Sequence, residues 1–108
     1  HDSHAGDPPP WLGIDVVDEP LPLGPLAACH HPNTLPNATV LAGHWHPTVT
    51  LPGRGRDGLR LPCFHHAPGL LVLPAFGAFT GGHAAAAAHD VTRYAVGAGR
   101  VWALPRGA

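Results

Sequence analysis

Apolar residues in this chain come in short runs, each cut off by proline, glycine or histidine. That pattern predicts brief strands rather than helices. Residues 14–17 read as a first strand, and Leu21–Leu23 as a second, which Pro20 and Pro22 would confine to a sheet edge. Leu26–Cys29 and Thr39–Ala42 are expected as two further strands, the first running into His30 and the second into Gly43. Residues 48–51 and 59–64 flank the glycine-rich stretch 53–58, which reads as a hairpin connection. A turn over 65–69 leads to a strand over 70–73. Residues 75–82 form a glycine-rich loop carrying Phe76 and Phe79. The alanine run at 84–89 reads as one or two helical turns, because alanine has the best helix propensity. Residues 93–96 and 101–104 make a last hairpin around Gly97-Ala98-Gly99, and the proline-rich opening, residues 1–11, is a loop.

Composition narrows the class. With 108 residues, 44% hydrophobic and only 12% charged, the chain is one domain or part of one, not a charged disordered tail. The fourteen prolines and fourteen glycines argue against long helices. A net charge of -1 and the lack of any lysine leave no electrostatic footprint for nonspecific nucleic-acid binding. Arg54, Arg56 and Arg60 are the one local concentration of cations, and they read first as a solvated hairpin tip and second as a phosphate-contacting loop. Two cysteines, Cys29 and Cys63, are too few for a disulfide framework, so a reducing, cytoplasmic setting is expected. No apolar run is long enough to span a bilayer, and no membrane partner is expected.

Candidate chemistry lies in the histidines. Ten of them in 108 residues would by chance supply about one His-x-His pair, so Gly43-His44-Trp45-His46-Pro47 gains its weight from context. It follows an apolar strand, Gly43 lets the backbone approach a bound ion, and Pro47 stiffens the turn. Neutral imidazole is a common ligand of transition metals. His30 ends the neighbouring strand in Cys29-His30-His31-Pro32 and reads as a further ligand. His31 should point the other way if the strand alternation continues, as a supporting or solvent-facing residue. His4, His65, His66, His83 and His89 show no partner pattern, although the Phe79-Thr80-Gly81-Gly82 stretch before His83 can fold near a site. A structural zinc site on Cys29 and Cys63 would need a Cys-x-x-Cys spacing that is not there.

His1-Asp2, Cys29-His30-His31-Pro32 and Gly43-His44-Trp45-His46 together resemble the later motifs of the calcineurin-like metallophosphoesterases. In that superfamily the order is Asp-x-His, Gly-Asp, Gly-Asn-His-Asp/Glu, a lone His, then Gly-His-x-His. Residues 60–64, 73–77 and 79–82 look like the C-terminal half of the ligase-associated DNA damage response endonucleases within it. The resemblance spans the chain and implies an α/β fold: the β-rich C-terminal half of an α/β/β/α sandwich, residues 1–108 forming a partial domain without its N-terminal half.

Carried over residue by residue, the resemblance makes His30 and His44 ligands of one metal ion and His46 a ligand of the other. His1 becomes the histidine that faces the phosphate and helps protonate the leaving group, with Asp2 and Gly43 in support. It implies two divalent metal ions, Mn first, with Fe or Zn acceptable to the same donors. The activity implied is two-metal hydrolysis of a phosphodiester, and a nuclease acting on DNA, with a link to DNA ligase and helicase repair proteins, is the family expectation. A nucleotide or a small phosphodiester stays open as substrate. With the earlier carboxylate motifs missing, this stretch alone is expected to be a poor catalyst. The competing class is a non-catalytic metal-binding or β-rich interaction module.

Overall fold

A computed structural model describes residues 9–52, 58–75 and 82–107. Within them lie nine strands and one 3-10 turn at Pro10–Leu12. The strands are β1 (Leu21–Leu23), β2 (Leu26–Cys29), β3 (Thr39–Ala42), β4 (Pro47–Leu51), β5 (Leu59–Ala67), β6 (Leu70–Val72), β7 (His83–Ala84), β8 (Thr92–Gly97) and β9 (Arg100–Ala103). The fold is a mixed sheet with almost no helix, the β-rich class that the short apolar runs predict. No helix among the described residues is long and apolar enough to cross a membrane.

The first half of the sheet is built on parallel pairing. β1 and β2 form a hairpin through Gly24-Pro25, with Gly24 at a φ of +65°, as the first position of a tight primed turn requires. β2 then pairs parallel with β3, and β3 parallel with β6. Their buried face is small: Val40, Ala42, Leu70 and Val72, with Cys29 and Leu35 packed against it. The second half is antiparallel apart from β7. β4 pairs with the first part of β5, and β8 with the second part of β5 and with β9. Its core is Val49, Cys63 and Ala95.

β5 joins the halves. Its residues 59–62 pair with β4, and 65–67 pair with β6. This length corrects the expected turn over 65–69. His65 and His66 stay in the strand because β6 and β8 offer partners to both of its edges, and only Pro68-Gly69 turns.

Two other expectations fail. Residues 14–17 join no ladder among the described residues, and Ile14, Val16 and Val17 are exposed. Apolar alternation marks a strand only where an edge is available to pair with it. The alanine run is not helical either. Ala84 ends β7, the Ala85 amide donates to the Thr48 carbonyl (2.8 Å), and the Ala88 carbonyl accepts the Gly107 amide (3.0 Å). Helix propensity is a weak prior, and these long-range bonds claim the backbone groups that a helical turn would use. The final hairpin forms as expected, turning through Ala98-Gly99 with both φ values positive.

Candidate functional site

Register brings the two histidine motifs together. Cys29 lies opposite Ala42 at the ends of β2 and β3, so the next residues, His30 and Gly43, leave the sheet side by side. The Gly43 amide donates to the His30 carbonyl at 3.0 Å. Parallel strands place their carboxyl ends at one edge, the position where open α/β sheets hold ligands. The His30 amide also donates to the Glu19 carboxylate.

Past Gly43 the chain turns sharply. The Trp45 amide bonds back to the Gly43 carbonyl at 2.8 Å, and His44 between them has a φ of +70°. That is the three-residue turn with a positive central φ, a rare and strained form. His46 follows at +51°. Left-handed conformations in non-glycine residues cost about 1–3 kcal/mol each and gather at functional sites. The His46 carbonyl accepts the His83 amide at 3.1 Å, and Gly82 packs so closely there that an added Cβ would sit 2.7 Å from the same carbonyl. Gly43, by contrast, has ordinary room: a Cβ would lie 3.9 Å from the His30 carbonyl. Its contribution is the amide bond that ties the two motifs.

Three imidazoles meet at this edge. His30, His31 and His44 each offer a nitrogen, and these atoms all lie within 4.8 Å of one another. His30 Nε2 and His44 Nδ1 are 3.0 Å apart. The ring centroids of His31 and His44 are 4.2 Å apart, and His30 lies 4.9 Å from each. His31 is the residue that the alternation argument misses. β2 ends at Cys29 and the chain bends at His30 and His31, so pleat alternation stops and both rings turn to the same cluster. Only the adjacency of the two histidines at a strand end hinted at this.

His46 is not one of those three, although its segment is the same turn. His1, Asp2 and His4 lie outside the described residues, as do Arg54, Arg56 and residues 76–81. Arg60 donates to the Thr48 hydroxyl (3.3 Å) and the Gly82 carbonyl (3.0 Å), a tie between strands. Cys63 is fully buried, which pushes its thiol pKa up, and the nearby Arg93 offsets part of that rise. Cys29 is a partly buried free thiol packed against the core of β3 and β6.

The donor set suits a transition metal. Two nitrogens about 2.1 Å from one ion lie about 3.0 Å apart at a right angle and about 3.4 Å apart at the tetrahedral angle. The two rings share a hydrogen bond at 3.0 Å, and the same separation equals the right-angle spacing of two ligands on a single cation. Imidazole is a good donor to Zn and Fe, while Mn favours additional oxygen donors.

Beside the cluster an open cleft of about 530 Å³ is lined by His44, Trp45, Pro47, His65, His83 and Ala84–Ala86. Trp45 and His65 meet edge to face, their centroids 5.5 Å apart and their planes at 87°. Burial lowers the His65 pKa from its usual 6.5; Asp90 pulls it back up and His66 lowers it further. No residue pattern in the sequence marked His65 for this position, whereas the glycine-rich stretch before His83 did point towards a site.

The chain is similar to a nuclease, MPE of Pseudomonas putida, seen in a crystal structure. The identity is 48% and the TM-score 0.79, over 96% of this chain and 50% of that one. The chain thus spans about half the length of that nuclease. No protein-family model matches the chain, and no curated protein does.

Proposed function

We propose that the protein carrying this chain is a metal-dependent phosphodiesterase of the nuclease type. In this reading it is a calcineurin-like metallophosphoesterase, and these residues are the β-rich C-terminal half of its sandwich. The observation that carries the reading is the convergence of His30 and His44, from the ends of two parallel strands, at the spacing of ligands on one ion. The 48% identity to a nuclease over nearly the whole chain supports the phosphodiester as substrate.

His30 and His44 hold one divalent cation, with His31 a third nitrogen donor beside them, and His46 serves the second. Divalent cations supply charge neutralisation on the phosphate oxygens and activation of the attacking water. Mn would be the first choice, and Fe or Zn would suit the same imidazoles. His1 donates a proton to the leaving oxygen, and Asp2 supports its loop. DNA is the proposed substrate, and proteins of DNA ligase and helicase repair are the proposed partners.

The test combines metal analysis with hydrolysis of an oligonucleotide by the complete protein, supplied with Mn, Fe or Zn, or with chelator. His44→Ala should lose bound metal and at least about a hundredfold in rate. His1→Ala should keep its metal and lose about 10²- to 10⁴-fold, the contribution of a general acid. His66→Ala, an exposed residue of β5, should change neither. Hydrolysis that survives the chelator overturns the reading, and so does a His66→Ala variant that behaves like His44→Ala. Metal binding without turnover would favour a non-catalytic metal-binding module.

A further inference from the structure

His44 belongs both to the three-histidine cluster and to the lining of the adjacent cleft. A substrate phosphate at the cluster therefore has the cleft as its immediate neighbour. Among the described residues none of the lining side chains is Asp, Glu, Lys or Arg, so no permanently charged group there awaits a second phosphate. Its walls are proline, alanine and the rings of Trp45, His65 and His83. Its size falls in the range of about 300–1,000 Å³ typical of small-ligand sites.

Trp45 supplies a stacking surface. Its contact with His65 is edge to face, at 87°, and such a contact covers at most one face of the indole. The residue keeps 38% of its surface exposed. The strained turn holds the ring in place, because the residues before and after it, His44 and His46, both have a positive φ. Such a surface suits a flat, uncharged, aromatic group, with the imidazoles at the rim able to donate or accept a hydrogen bond.

We infer that the cleft between Trp45, His65 and His83 is a base-binding subsite, which takes the nucleobase flanking the phosphate held at the histidine cluster. The inference rests on the phosphodiesterase reading and adds to it a group that the cluster cannot recognise. The subsite reads the aromatic face of the base, so it tolerates any of the bases and rejects a backbone that has none.

The experiment compares two single-stranded oligodeoxynucleotides of equal length and charge, one of thymidines and one of abasic sugars. Binding to the complete protein is followed by stopped-flow anisotropy, before cleavage, with Mn and with chelator. The native protein should prefer the base-bearing strand. Trp45→Ala should weaken that strand about tenfold, the scale of one lost stacking partner, while leaving the abasic strand and the Mn content unchanged. Trp45→Phe should restore most of the preference. Ala86→Trp, at an exposed position in the lining, should fill the cleft and reproduce the loss without touching the turn. Equal weakening of both strands by Trp45→Ala, or weakening of neither, overturns the subsite. So does a native protein that binds the two strands alike or binds neither. Failure of the underlying reading looks different: a base preference that depends on Trp45, but oligonucleotide binding indifferent to Mn.

Discussion

The two halves of the sheet are made of the same small apolar residues, yet they do different work. β2, β3 and β6 run parallel, so their carboxyl ends lie at one edge and deliver His30, His31 and His44 to one place. β4, β5, β8 and β9 form antiparallel pairs, and successive strand ends fall on opposite edges. Among the described residues, that half gathers no comparable cluster. It contributes instead the side of a cleft, through His65 within β5. Strand direction, more than residue type, separates the half that collects the histidines from the half that shapes their surroundings.

The largest effect that would break this comparison lies in the cores. Val40 is fully buried in β3 and Val49 is 3% exposed in β4. Either Val→Ala change should cost about 2 kcal/mol, through lost burial and the cavity left behind. Only Val40→Ala should also weaken metal binding, because β3 carries His44. Denaturant titration beside metal analysis checks this. Equal metal affinities in the two variants would mean that the histidine edge does not depend on the parallel core.

A smaller effect sharpens the account of the turn. His44→Gly removes an imidazole and at the same time relieves a φ of +70°. It should raise stability by about 1 kcal/mol while metal binding is lost, a separation that His44→Ala cannot produce. A thermal melt without metal is the measurement. A variant less stable than the native protein would show that the His44 ring supports the fold by its contacts.

The smallest effect belongs to the antiparallel half. The folded state lowers the pKa of His65 from 6.5, chiefly by burial, so the unfolded chain binds its proton more tightly. The stability that the neutral ring contributes is complete above about pH 6.5, declines as the pH falls through 6.5 towards the lowered folded value, and is then gone. His65→Gln should flatten that part of the pH–stability curve and leave the curve above pH 7 parallel to the native one. Matching slopes for the two proteins between pH 7 and pH 5 would remove burial of His65 as the cause.

Much of the local structure was legible in the chain. β1, β2 and β3 begin and end where their prolines, apolar runs and histidines place them. The final hairpin turns at Ala98-Gly99, within the expected glycine-rich stretch. His30 and Gly43 could be placed at strand ends because an apolar run followed by a polar residue is a local signal. Residues 14–17 carry a similar apolar signal and form no strand, since nothing pairs with them.

The sequence by itself determined where the apolar runs stop and that His30 and His44 follow two of them. Tertiary structure alone decided that β2 and β3 run parallel with Cys29 opposite Ala42, which is what makes the two motifs neighbours. It also decided that β5 extends through His65 and His66, that His31 turns into the cluster, and that the alanine run gives up its helix. The physical reason is the same in each case. Periodicity and turn chemistry act over a few residues, whereas strand register and backbone partners are settled by groups far apart in the chain, where each amide must find its carbonyl.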